Sequence, residues 1–198
     1  TQPNATISET REAAILFVDV RSFTAASEQL SADAVMRVLT QYQQVAISQI
    51  QAHNGRIDKF MGDGILATFG AVGASVTYAA DALNAANSVV AAMDALQAEF
   101  TALGWPGKFV TGVGVASGPV TVGVVGAEGR LEFTVIGNSV NLASKLENAN
   151  KLQKTRALTE VATYQNAITQ GFVGPVREHR PKTRIDGLAH SVDLVVLA

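Results

Sequence analysis

The stretch Arg56-Ile-Asp-Lys-Phe-Met-Gly-Asp-Gly-Ile-Leu-Ala-Thr-Phe69 decides the fold. Two short β-rich runs, residues 56–60 and 65–69, flank Gly62-Asp63-Gly64, the composition of a tight turn, so the stretch reads as a β-hairpin with Asp63 at its tip. Upstream, from the N-cap type residue Ser31, the apolar residues Val35, Val38, Leu39, Tyr42, Val45, Ala46 and Ile50 recur at helical spacing until Asn54-Gly55 stops them. Before that helix, residues 13–18 form a continuous apolar run ending in Asp19, the pattern of a strand buried on both faces with a polar residue at its exit. Downstream of the hairpin, the Ala-rich segment 75–103 keeps a helical period and ends before Gly104 and Pro106. Residues 109–116 and 120–125 are β-rich runs separated by Ser117-Gly118-Pro119, which predicts a strand pair; 131–136 alternates like a further strand, and 138–150 returns to helical spacing. The order strand, helix, hairpin, helix, strand predicts a mixed α/β (α+β) fold with a ferredoxin-like βαββαβ core and C-terminal additions.

Length and composition narrow the function classes. The chain has 198 residues, 47% hydrophobic and 16% charged, enough for one well-buried domain. A formal net charge of -2 gives no long-range attraction for nucleic acid or an anionic membrane, so any phosphate binding must be local. With no cysteine, disulfides and thiolate chemistry are excluded, and the cytoplasm is the default compartment. No apolar run approaches the roughly 20 residues that cross a bilayer, so no membrane contact by this segment is expected. Residues 1–12 are polar and lack a starting Met, which predicts a linker from an upstream regulatory region, with the folded domain over 13–198.

In a βαββαβ sheet the strand that ends at Asp19 lies beside the hairpin that carries Asp63, so both carboxylates share one edge. Two hard oxygen ligands of this kind suit Mg²⁺, which typically takes one or two protein carboxylates and completes its shell from phosphates and water. The other reading is that Asp63 serves only the turn and Asp19 only caps the next helix. After Asp19, Ser22, Phe23 and Thr24 lead into a short helical stretch whose free backbone N–H groups are suited to a phosphate, or simply start a helix.

Three segments carry a resemblance: Phe17-Val-Asp-Val-Arg-Ser-Phe-Thr24, Lys59-Phe-Met-Gly-Asp-Gly-Ile-Leu-Ala67 and Gly137-Asn-Ser-Val-Asn-Leu-Ala-Ser-Lys145. In order and spacing they resemble the signature segments of class III adenylate and guanylate cyclases, over a match running from about residue 13 to the end. The resemblance implies a palm-type cyclase fold and a homodimer paired head to tail. It further implies that Asp19 and Asp63 hold two divalent ions, Mg²⁺ or Mn²⁺, while the ribose 3′-oxygen of ATP attacks the α-phosphorus and pyrophosphate leaves. Lys59 matches the position that reads the base. A lysine offers only donors and so favours adenine N1 over the N1-H of guanine, and Thr134 matches the partner position, its hydroxyl accepting from the adenine amino group. Asn141 matches the residue that orients the ribose, and Lys145, one helical turn on, matches the one that stabilises the transition state. The resemblance also implies that the metal acids come from one subunit and the base-reading and transition-state residues from the other, with much of the contact placed on residues 110–125 and 126–132.

Two positions depart from the family pattern. Lys145 stands where Arg is usual, keeping the charge without the planar fork that grips phosphate oxygens. Asp186, before Gly187, stands where many members carry a phosphate-binding Lys; Arg180, Lys182 and Arg184 are candidates to replace it. Three functions follow in order of support: an adenylate cyclase, a regulatory nucleotide-binding module that has lost turnover, and a guanylate cyclase, which Lys59 opposes.

Overall fold

A computed structural model describes residues 8–127 and 130–198, and the side chains of all of these except 127 and 130. In chain order the elements are β1 (Ser8–Val20), α1 (Phe23–Ser27), α2 (Ala32–Ala52), β2 (Arg56–Met61), β3 (Gly64–Phe69), α3 (Tyr78–Ala95) and α4 (Gln97–Ala102). There follow β4 (Thr111–Ala127), β5 (Arg130–Ile136), α5 (Asn138–Gln153), β6 (Ala157–Glu160), α6 (Val161–Thr169), β7 (His179–Thr183) and β8 (Val192–Val196). The strands form one sheet in the order β2-β3-β1-β4-β6-β8-β7, with β5 paired to the outer part of β4. Its β2-β3-β1-β4 portion is the expected βαββαβ core, and β6 to β8 are the C-terminal additions. Among the described residues no helix is long and apolar enough to cross a membrane.

The apolar run in β1 is buried on both faces because the sheet carries helices on both. Ala14, Leu16 and Val18 join Ile65, Ala67 and Phe69 beneath α2 and α3, whereas Ala13, Ile15, Phe17 and Leu66 pack on the other face with Ala143, Leu146 and Ala149 of α5. Helix α2 starts at Ser31, whose Oγ accepts from the Ala34 N–H at 3.2 Å, and buries Val38, Tyr42, Ala46 and Ile50 at four-residue spacing.

Three expectations change. Strand β1 begins at Ser8, so residues 8–12 of the expected linker are strand; pairing of 8–12 with residues 119–123 of β4 overrides their polar composition. Residues 1–7 lie outside the described part. Second, Ser117-Gly118-Pro119 makes no hairpin, because β4 runs unbroken along β1 on one edge. On its other edge β4 pairs with β6 at 113–115 and with β5 from 121, so Pro119, which lacks an N–H, falls in the gap between these ladders. Third, the helix expected over 75–103 breaks at Leu96. The Gln97 side chain there donates to the carbonyls of Met93 and Phe109, both at 2.8 Å, and accepts from the Phe109 N–H at 2.9 Å. That clamp seats Phe109 in a stack on Phe100, with centroids 3.8 Å apart, edge-on to Trp105.

Helix α5 lies directly on the backbone of β4. A methyl at Gly114 would collide with the Ala143 carbonyl and the Glu147 N–H, so only glycine admits the helix at this depth. Asn150, fully buried, ties the far end: its Nδ2 donates to the Val113 carbonyl at 2.9 Å and its Oδ1 accepts from the Thr155 hydroxyl at 2.8 Å. Gly114→Ala is therefore expected to destabilise the domain by about 1–3 kcal/mol, a loss of roughly 2–10 °C in Tm. A thermal melt checks this, and an unchanged Tm contradicts the close approach.

Candidate active site

The antiparallel pairing of β1 with β3, with Val18 opposite Ile65, brings the exit of β1 against the β2–β3 turn. Gly62 takes φ +64 there, a left-handed turn conformation. Two carboxylates meet on one backbone donor: the Val20 N–H is 2.9 Å from Asp19 Oδ1 and 3.0 Å from Asp63 Oδ2. Asp19 does not cap the next helix, whose N-cap is Ser22. Burial, then the hydrogen bond and charge of Asp63, then the charge of Glu147, push the Asp19 carboxyl up to about 8, despite the Val20 N–H favouring its charged form. A pair of hard oxygen donors whose mutual repulsion is compensated by a single N–H fits a divalent cation. Among the described residues no group of three or more His, Asp or Glu side chains is placed to hold a metal, so such an ion would draw its remaining ligands from substrate and water.

Glu147 is the residue that sequence reasoning missed. Its carboxylate packs against Gly112, the cross-strand partner of Asp19, where a side chain at 112 would meet Oε1 at 2.6 Å. Burial raises Glu147 to about 7, opposed by Lys151 and Arg21 and reinforced by Asp63. The cue was present: Glu147 follows Ala143 and Leu146 on the face of α5 that must be apolar.

Ser22, Phe23 and Thr24 stand at the start of α1, beside the acid pair. The Phe23 ring lies 6.0 Å from Trp105 and belongs to the core, so Phe23 offers the site only its backbone, while Ser22 and Thr24 are exposed. Arg21 turns away, its guanidinium donating to the Thr155 carbonyl at 2.8 Å.

The sheet curls so that β5 reaches β2. Lys59 Nζ lies 3.3 Å from Glu132 Oε1 of β5 and 3.6 Å from its own neighbour, Asp58 Oδ2. Thr134 is two residues beyond Glu132 and so projects from the same face of β5. On α5, exposed Asn141 lines a cavity of about 550 Å³ together with Ser117, Glu160, Gly187 and His190. Lys145, one turn on, lies over Gly187, the residue that follows Asp186. Arg180 is already engaged, donating to Glu178 and to the Gln153 carbonyl, both at 2.6 Å, and is not free to replace the missing lysine; Lys182 and Arg184 are exposed. No hydrogen bond or ion pair joins Asp19 or Asp63 to Lys59, Thr134, Asn141 or Lys145 among the described residues.

The expected contact surface also needs adjustment. Val113, Val115, Ala116, Val120 and Val122 are core, because β4 is paired along β1 and lies between α3 on one face and α5 on the other. In this region the exposed apolar side chains are Val124, Val125, Leu131, Phe133 and Ile136 at the outer end of β4 and β5, with Phe60 and Met61 on β2. Residues 128 and 129 of the expected contact lie outside the described part.

Known proteins share this fold. The family described as "Adenylate and Guanylate cyclase catalytic domain" matches residues 6–183. Adenylate cyclase 1 of Rhizobium meliloti is 35% identical over 152 residues, which are 77% of this chain and 23% of that protein. The terminal-differentiation specific adenylate cyclase of Dictyostelium discoideum is 36% identical over 146 residues, 73% of this chain and 7% of the relative. This chain thus spans a quarter or less of either relative's length. Among solved structures, the adenylyl cyclase CyaB from P. aeruginosa superposes with a TM-score of 0.84 at 26% identity, covering 96% of this chain and 95% of that one. The guanylyl cyclase Cya2 also gives 0.84, at 30% identity, covering 96% and 92%. With a family matched over residues 6–183 and a matching fold, the chain belongs to the adenylate and guanylate cyclase catalytic domains.

Proposed function

We propose that two copies of this domain pair head to tail and convert ATP to 3′,5′-cyclic AMP and pyrophosphate at sites shared between them. The observation that carries this reading is the convergence of Asp19 and Asp63 on the single N–H of Val20. Asp19 and Asp63 would hold Mg²⁺ or Mn²⁺, which when bound would neutralise charge on the triphosphate and make the ribose 3′-hydroxyl more acidic. The 3′-oxygen forms its bond to the α-phosphorus as the bond to the β-phosphate oxygen breaks, the hydroxyl proton is lost and pyrophosphate carries away the electron pair. The residues of this chain mainly position the reactants. Backbone N–H groups of residues 22–24 hold phosphate oxygens at the start of α1, in keeping with the formal net charge of -2. Asn141 orients the ribose, and Lys145 places a positive charge near the reacting phosphate.

Lys145 acts as a point charge where an arginine would grip two oxygens, so its contribution to the transition state is smaller than the usual one. Its seat against Gly187 supports a role, because Gly187 leaves the room that the lysine stem fills. Lys59 and Thr134 read adenine. The exposed apolar side chains on β4, β5 and β2 support a partner of the same kind, since an apolar surface of this extent is stabilised by being covered. One observation favours GTP instead: Glu132, beside Lys59, offers a carboxylate that matches the N1-H and N2 donors of guanine.

Two experiments test the reading. Asp63→Asn, which keeps the turn, is expected to lower cyclic AMP formation by roughly 10²-fold or more in a sample that remains dimeric; turnover within a factor of a few of the parent contradicts the role of the acid pair. Lys59→Glu is expected to shift the ratio of kcat/KM for ATP over GTP by at least about tenfold toward GTP. Unchanged ATP selectivity removes Lys59 from base reading.

A further inference from the structure

Successive residues of a strand ordinarily project to opposite faces, yet Asp58 and Lys59 meet. The reason lies in β2, where the register shifts between Ile57, opposite Ala67, and Lys59, opposite Leu66, leaving Asp58 without a cross-strand partner. Such a bulge re-aims the side chains around it. Here it leaves Asp58 Oδ2 3.6 Å from Lys59 Nζ, in a cleft of about 390 Å³ between the β2–β3 hairpin and the Leu131–Phe133 segment of β5.

The fold alone gives no reason for a carboxylate at this place. The Asp58 side chain is only 4% exposed, and its Oδ2 makes no hydrogen bond. An ionised carboxylate in that state is costly, and a neutral side chain of the same size would serve packing better. Burial raises the Asp58 pKa, the Lys59 ammonium opposes that rise, and Glu132 adds to it. Lys59 is therefore the group that favours the charged form. The same ammonium lies 3.3 Å from Glu132 Oε1. A lysine ammonium has three donors on a flexible four-carbon stem; with two carboxylates beside it, a donor remains for one further acceptor. Glu132 shares a face of β5 with Thr134, so the ammonium is held at the face from which Thr134 projects.

We propose that Asp58 is the positioning residue that aims the Lys59 ammonium at the purine, and that it thereby sets how tightly and how selectively the nucleotide is held. The inference rests on the proposed base-reading role of Lys59. A lysine fixed before substrate arrives loses less rotational freedom on binding, so the effect falls on KM and on base selectivity.

The test is a double-variant cycle in the dimeric domain. Asp58→Asn keeps the shape and removes the charge, and because burial already opposes that charge the Tm is expected to hold. The KM for ATP is expected to rise about tenfold, kcat to change by less than about twofold, and the preference for ATP over GTP to fall. In a Lys59→Ala background, Asp58→Asn is expected to change neither KM nor selectivity further. The same loss in both backgrounds overturns the inference, as does an Asp58→Asn enzyme that binds and selects ATP normally while Lys59→Ala does not. If Lys59→Ala itself leaves KM and selectivity intact, the base-reading role fails and the inference fails with it. Should Asp58→Asn melt early, Asp58→Ser, also neutral and smaller, is carried through the same cycle and decides in the same way.

Discussion

The register of β1 against its two neighbours is the constraint on which the rest depends. Opposite β3, it sets the exit of β1 beside the hairpin turn and brings two carboxylates to one N–H. Opposite β4, it pairs Asp19 with Gly112, and the missing side chain there admits Glu147 from α5. A slip of one residue would turn every β1 side chain to the other face, exchanging the two apolar layers and carrying Asp19 away from Asp63. The doubly buried run from Ala13 to Val18 resists that slip less by pattern than by shape: each face packs its own set of partners, and α5 meets the backbone of β4 at Gly112 and Gly114.

Charge is concentrated where the fold needs it least. Asp19, Glu147 and Asp58 are carboxylates shifted upward by burial in a chain whose net charge is close to zero, and a domain selected for stability alone has no use for them. Asp19 and Glu147 cluster at the exit of β1, and Asp58 stands in β2 beside Lys59. The two groups are not joined by any hydrogen bond or ion pair among the described residues. Half-sites carried separately by one chain are what a head-to-tail pair would bring together, with the apolar outer ends of β4 and β5 providing the surface.

Much of this was legible in the sequence, for identifiable reasons. The helix over Ala32–Ala52 and the hairpin around Asp63 declare themselves locally, through a cap, a four-residue apolar spacing and a Gly-Asp-Gly turn. The pairing of Asp19 with Asp63 followed from strand order. What stayed hidden depends on partners remote in sequence. Residues 8–12 look like linker until β4 pairs with them, Pro119 looks like a turn until its gap between two ladders is seen, and the break at Leu96 is made by Phe109 acting on Gln97. Asp58 was invisible for the same cause, because a bulge in a short strand leaves little trace in composition; Glu147 interrupts the apolar face of α5, but the glycine that admits it lies on a strand remote in sequence.

The proposed site is completed by two chains, and mixing two inactive proteins tests that most directly. One carries Asp63→Ala and the other Lys59→Ala together with Asn141→Ala; each alone is expected to be inactive. Co-refolded in equal amounts, they form mixed dimers with one intact site, and cyclic AMP formation returns to about a quarter of the parent rate if chains pair at random. A mixture in which mixed dimers are demonstrated and no activity returns contradicts the shared site, and with it the division of roles between Asp19 and Asp63 on one chain and Lys59, Thr134, Asn141 and Lys145 on the other.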